Sequence, residues 1–182
     1  MRTIDKLFWS IYISDIEVLL IVLLVLLILW AMLACKLRKK MKILSVFVAI
    51  ISVVAIVYTT LVSRSEPALA HEVMPFASFI KAIEQPEMFR SMFMNIVLFM
   101  PLGITLPFVF NKSSKRVLIS VLIGSALSLV VEFLQYAFLL GFAETDDVLC
   151  NTVGVFMGCG TWCLAHWFCR LKNNFMKRKY DE

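Results

Sequence analysis

The sequence has no CxxC pair, no HExxH run and no Ser/His pair placed on one helical face. Those gaps remove the usual zinc and nucleophilic-hydrolase signatures. Its five cysteines (Cys35, Cys150, Cys159, Cys163, Cys169) are odd in number and scattered, which argues against a disulfide scaffold. Cys159, Cys163 and His166 share a helical face, but three ligands on one helix with no fourth make a poor zinc site, so they read as packing residues. The other histidine, His71, has no evident partner. No metal and no cofactor is expected. There is no internal repeat, which fits badly with transporters built from inverted repeats. There is no low-complexity linker either.

Charge is also scarce, at 17% of residues, whereas 61% of the 182 residues are hydrophobic and the mean hydropathy is +0.88. Soluble domains carry about 45–50% apolar residues. The solvent for this chain is therefore lipid. The net charge of +5 reads as basic residues held at the cytoplasmic face of a membrane, not as a nucleic-acid footprint.

Taken in order, residues 1–15 hold an amphipathic set, Ile4, Leu7, Phe8, Ile11 and Tyr12, too short to span and suited to the interface. Ile16 to Cys35 is the first span, and the basic loop to Lys42 follows it. Met32–Cys35 faintly matches a lipoprotein cleavage box, but Asp15 and Glu17 precede the apolar run where a signal peptide wants basic residues. Residues 43–169 form a four-helix membrane domain with an outer loop at 63–90, and 170–182 is a basic tail. Within the loop, Phe76, Phe79, Ile80 and Ile83 mark a short surface-lying helix. Gln85-Pro86-Glu87 marks the start of the third span, and Pro101 suits a kink within it. The fourth span runs from Val117 to Leu140, and Asp146 or Asp147 opens the fifth. The segments after spans one, three and five are the richer in Lys and Arg. The expected fold is thus an all-α polytopic membrane bundle of about five transmembrane helices, N-terminus out and C-terminus in.

Polar residues interrupt these spans on one side only. Glu132 lies about 12 Å below the end of the fourth span at 1.5 Å per residue. A carboxylate at the centre of a membrane helix costs roughly 2.5–3.5 kcal/mol, and an intramembrane acid is by default a functional candidate. Ser128, Glu132 and Gln135 share one helical face, Asp147 and Asn151 another, and Asn95 sits two turns into the third span. A hairpin of spans four and five sets Glu132 and Gln135 facing Asp147 and Asn151. The bland readings are caps for Asp146 and Asp147, and interhelical hydrogen-bonding for Asn95, Gln135 and Asn151. Gly154 and Gly158 form a GxxxG pair through which another backbone can approach.

Asn95-x-x-Leu98-Phe99-x-Pro101-Leu102-Gly103, Glu132-x-x-Gln135 and Asp147-x-x-x-Asn151-Thr152-x-Gly154, with Arg64 and Met74-Pro75-Phe76 upstream, resemble the VanZ-like family over roughly residues 58–165. The segment before residue 43 lies outside the resemblance. The resemblance implies a multi-pass protein of the bacterial plasma membrane, associated with reduced susceptibility to teicoplanin and related lipoglycopeptides, and implies no particular reaction. It carries over Arg64, Asn95, Glu132, Gln135, Asp147 and Asn151 as candidate binding residues. One departure is the turn Gly141-Phe142-Ala143-Glu144, where many members have an arginine.

The expected function is binding, by an outer-leaflet polar cleft, of a lipid-linked cell-wall precursor or the lipoglycopeptide. Membrane lipids are the other expected partners; nucleic acid is not one. An intramembrane enzyme with Glu132 and Asp147 as acid and base is the alternative, and a small transporter or flippase the third. The oligomeric state is not readable from the sequence.

Overall fold

The computed structural model describes residues 21–22, 25–34, 36–37, 40–62, 76–110, 115–140 and 145–181. These residues are almost all helical. The elements are α1 (Val25–Ala34), α2 (Met41–Val57), α3 (Ala77–Glu84), α4 (Pro86–Val109), α5 (Arg116–Phe138) and α6 (Thr145–Asp181). Residues Tyr58–Val62 continue α2 as a π-helical turn. Among the described residues four stretches are long and apolar enough to cross a membrane: Met41–Val62, Glu87–Val109, Arg116–Phe138 and Thr145–Leu171. The all-α class is as expected. Of the first expected span only part is described, with Val25–Ala34 as a shorter apolar helix.

Local chemistry explains most boundaries. Pro86 opens α4 at the first helical turn, where its missing N–H is no loss, and Glu87 sits at the positive end of the dipole. The helix runs on through Pro101 and Pro107. The short helix expected in the outer loop is α3. The last helix exceeds its expected length: α6 continues through the basic tail to Asp181. Lysine and arginine are good helix formers and are stabilised near a helix C-terminus.

Packing is organised by α4 and α6. Phe99, Leu102 and Leu106 of α4 meet Val155 and Cys159 of α6, with Ile56 of α2 and Val131 of α5 completing the core. Three glycines make this closeness possible, Gly103 of α4 against the Val155 carbonyl oxygen and two on α6. A Cβ on Gly154 would collide with the carbonyl oxygen of Ile96, and one on Gly158 with that of Met100. The GxxxG pair thus admits the α4 backbone, as its spacing suggests. Ile96 pairs with Gly154 and Met100 with Gly158, so α4 and α6 run parallel, with α5 returning between them in sequence. A second cluster at the opposite end joins Ala31 and Ala34 of α1 to Met41 of α2 and Ala165 of α6.

The bundle has an upper end, where α4 and α6 begin, and a lower end, where α2 and α5 begin. Lys40, Lys42, Lys115, Arg116 and Arg170 gather at the lower end. Cys150, Cys159 and Cys163 are not disulfide-bonded, whereas Cys169 is. One bonded cysteine is not a disulfide scaffold, and nothing in the cysteine spacing marks Cys169 as the bonded one.

Candidate functional site

The upper end holds most of the buried polarity. On α5 the inward stripe is Ser120, Gly124, Ser128, Val131 and Gln135. Glu132 is half-buried beside that stripe. Helix α5 ends at Phe138, so Glu132 lies about 9 Å below that end. On α6 Asp146, Asp147 and Asn151 are all buried. Helix α4 contributes Asn95, half-buried one turn above the fully buried Phe99. Arg64 lies outside the described residues.

Hydrogen bonds show which of these residues meet. Asn151 Nδ2 donates to Ser128 Oγ at 2.8 Å, and the Ser125 and Thr152 hydroxyls pair at 3.0 Å. These two links stitch α5 to α6 along the expected hairpin. Gln135 goes elsewhere. Its Nε2 donates to the Thr60 carbonyl oxygen at 3.0 Å, in the π-turn that ends α2. The last carbonyls of a helix have no partner within it, so Thr60 offers an acceptor that a hairpin-only reading overlooks. The expectation that Gln135 faces Asp147 and Asn151 is corrected to that extent.

Asp146 is the residue that sequence reasoning undervalued. It reads as a cap for its own helix, yet it caps another. Its Oδ1 accepts from the Phe76 backbone N–H at 2.7 Å and its Oδ2 from that of Ser78 at 2.9 Å. Helix α3 has no side-chain cap of its own, and its N-cap residue Phe76 is left-handed at φ 66°. A bulky residue there is disfavoured. The buried carboxylate of α6 therefore satisfies two orphan donors and holds a strained turn. The signal in the sequence was the doubled acid Asp146-Asp147, too many for one N-terminus but silent on the second target.

Three amide atoms at this end are buried with no hydrogen-bond partner among the described residues: Asn95 Nδ2, Gln135 Oε1 and Asn151 Oδ1. Burying an unpaired amide group costs about 1–3 kcal/mol in proteins. Asn95→Leu is accordingly expected to stabilise the fold by about 1 kcal/mol while impairing whatever function the site has. Thermal unfolding of the purified variant, read beside a functional assay, checks both halves.

An apolar cavity of about 630 Å³ opens at the same end of the bundle, between α3, α4 and α6. Its walls are Phe79, Ala82 and Ile83 of α3, Phe89, Met92, Phe93 and Ile96 of α4, and Leu149, Cys150 and Val153 of α6. On α6 the wall residues Leu149, Cys150 and Val153 share one helix face, and Asn151 lies on the other. Among the described residues no group of three His, Cys, Asp or Glu side chains is placed to hold a metal. Cys159 is buried while Cys163 and His166 are exposed, so those three do not share a setting.

Membrane-length apolar helices, tied together by buried side-chain amides and hydroxyls and by glycine-mediated backbone contact, define a helical integral membrane protein. The chain belongs to the VanZ/LLP1 family, whose model matches residues 18–166. The match begins well before the motifs that carry the resemblance, so it takes in the segment ahead of residue 43. A relative is Protein VanZ of Enterococcus faecium, 34% identical over 80 residues, which are 43% of this chain and 47% of that protein. The chain thus spans about half the length of that relative. No solved structure matches.

Proposed function

We propose that this chain is a multi-pass protein of the bacterial plasma membrane, with its upper end outward, that lowers susceptibility to teicoplanin and related lipoglycopeptides. It does so by holding an amphiphile, either the antibiotic or a lipid-linked cell-wall precursor, at the upper-end cleft. The orientation is supported by the basic residues at the lower end, which the positive-inside rule puts in the cytoplasm.

One observation carries the binding reading: three unpartnered buried amide atoms lie at the same end of the bundle as a large apolar cavity. Binding pockets typically join an apolar lining to a few placed polar groups. Asn95 Nδ2 offers a donor, and Gln135 Oε1 and Asn151 Oδ1 offer acceptors. A ligand rich in amides and hydroxyls, with a hydrocarbon portion, matches both parts. The carboxylates Glu132 and Asp147 supply acceptors for its N–H groups. Arg64 or Arg90 is the proposed cation of the site, in place of the arginine missing from the 141–144 turn.

The test is teicoplanin susceptibility of a sensitive host expressing the wild type, Glu132→Ala or Asp147→Ala at equal membrane abundance. Both variants are expected to return the inhibitory concentration to that of the host without the protein. Unchanged protection by both would overturn the assignment.

A further inference from the structure

The lower end carries a second cavity, of about 280 Å³, unlike the first in chemistry. Its walls include Met41 and Lys42 of α2, Phe108 of α4, and Trp162, Ala165 and His166 of α6. Trp162 stacks on His166, with ring centroids 5.3 Å apart and planes 21° from parallel. The Arg116 guanidinium lies 4.6 Å from the centre of the Trp162 ring. A column of guanidinium, indole and imidazole therefore borders a pocket that has an ammonium in its wall. Met41 and Ala165 are buried and give it an apolar floor.

No aspartate or glutamate occurs in residues 40–46, 105–110, 115–120 or 160–171. The positive charge of Lys42 is thus not balanced by any acid on these stretches. Lys40, Lys115 and Arg170 add to the same field. The pocket lies where the apolar helices give way to this basic end, the depth at which headgroups meet acyl chains.

We infer that this cavity is a binding site for the headgroup of an anionic glycerophospholipid, with Lys42 contacting the phosphate and the Trp162–His166 stack flanking it. Basic pockets between membrane helices at the cytoplasmic side recognise such headgroups by charge. An apolar floor beside the charged wall selects an amphiphile over a soluble anion. This site does not depend on the reading of the upper end.

The experiment is native mass spectrometry of the full chain in a neutral detergent. Phosphatidylglycerol and phosphatidylcholine with identical acyl chains are titrated in separate runs. Wild type is expected to bind phosphatidylglycerol preferentially. Lys42→Gln is expected to weaken that binding about fivefold, the factor for one basic residue near an anionic surface. Lys42→Arg should keep it. Lys40→Gln, two residues away but not in the pocket wall, should change it by less than about twofold, because it shares the field and not the contact. Lys40 and Lys42 are both exposed, so neither change threatens the fold. Equal binding of the two lipids would overturn the site. So would equal losses for Lys40→Gln and Lys42→Gln, which would indicate a diffuse basic surface. Displacement of the lipid by equimolar soluble glycerol phosphate would also overturn it, in favour of a free-anion site.

Discussion

Gly154→Leu is expected to separate α4 from α6 and to cost about 3 kcal/mol, the upper part of the range for overpacked interiors. The reason is geometric. Even the first side-chain carbon at Gly154 would overlap the Ile96 carbonyl, and backbone cannot swing aside as a flexible side chain can. The helices must move apart, and the Phe99–Val155 packing in the core loosens with them. Gly154→Ala should show the same sign and a smaller size. Gly160 provides the contrast on the same helix. Nothing lies within 4 Å of a Cβ placed there, so Gly160→Ala should be neutral or stabilising by up to about 1 kcal/mol through helix propensity. Thermal unfolding of the three purified variants in one detergent separates these outcomes. A Gly154→Leu variant as stable as wild type would contradict the close approach.

Asp146→Ala is expected to release α3. A hydrogen bond to a charged group contributes about 1.5–3 kcal/mol, and the substitution removes the acceptor of two at once. It also removes the acceptor for the Phe76 backbone N–H, leaving a left-handed residue with one support fewer. The loss is local, because Asp146 joins the start of α3 to α6 and takes no part in the Gly154 and Gly158 contacts. Amide hydrogen exchange across residues 76–84 should accelerate by roughly 100-fold, the factor for about 3 kcal/mol, while exchange in the middle of α4 and α6 stays slow. Asp146→Asn should fall between, since it keeps a neutral acceptor. Exchange in α3 unchanged by Asp146→Ala would sink the capping role. Helix α3 walls the upper cavity through Phe79, Ala82 and Ile83, so the same variant should weaken any ligand held there.

Much of the architecture was legible because it rests on local rules. Pro86 announced a helix start, the Phe76–Ile83 spacing announced α3, and the GxxxG pair announced a backbone contact. The Ser128–Asn151 link was half legible: spacing put each residue on the right face, and a short connection made the helices neighbours. What escaped was the rotation of one helix against another. Gln135 turns to the Thr60 carbonyl because α2 ends beside it in a π-turn, and nothing in YTTLV announces that turn. Asp146 reaches 70 positions back along the chain to Phe76. The apolar cavity escaped for a related reason, since its wall residues are indistinguishable by type from those that face lipid.

The parallel pairing of α4 with α6 has a consequence for the order of assembly. The ribosome makes α4 long before the glycines that receive it. Until residue 158 has been made, the Ile96–Met100 backbone lacks the helix that packs against it. The nascent chain therefore passes through a stage with three of these four membrane-length helices made and its tightest seam open. Chains stopped after Phe138 should be targets for membrane quality-control proteases, and completion of the last helix is the event that commits the molecule to its final form.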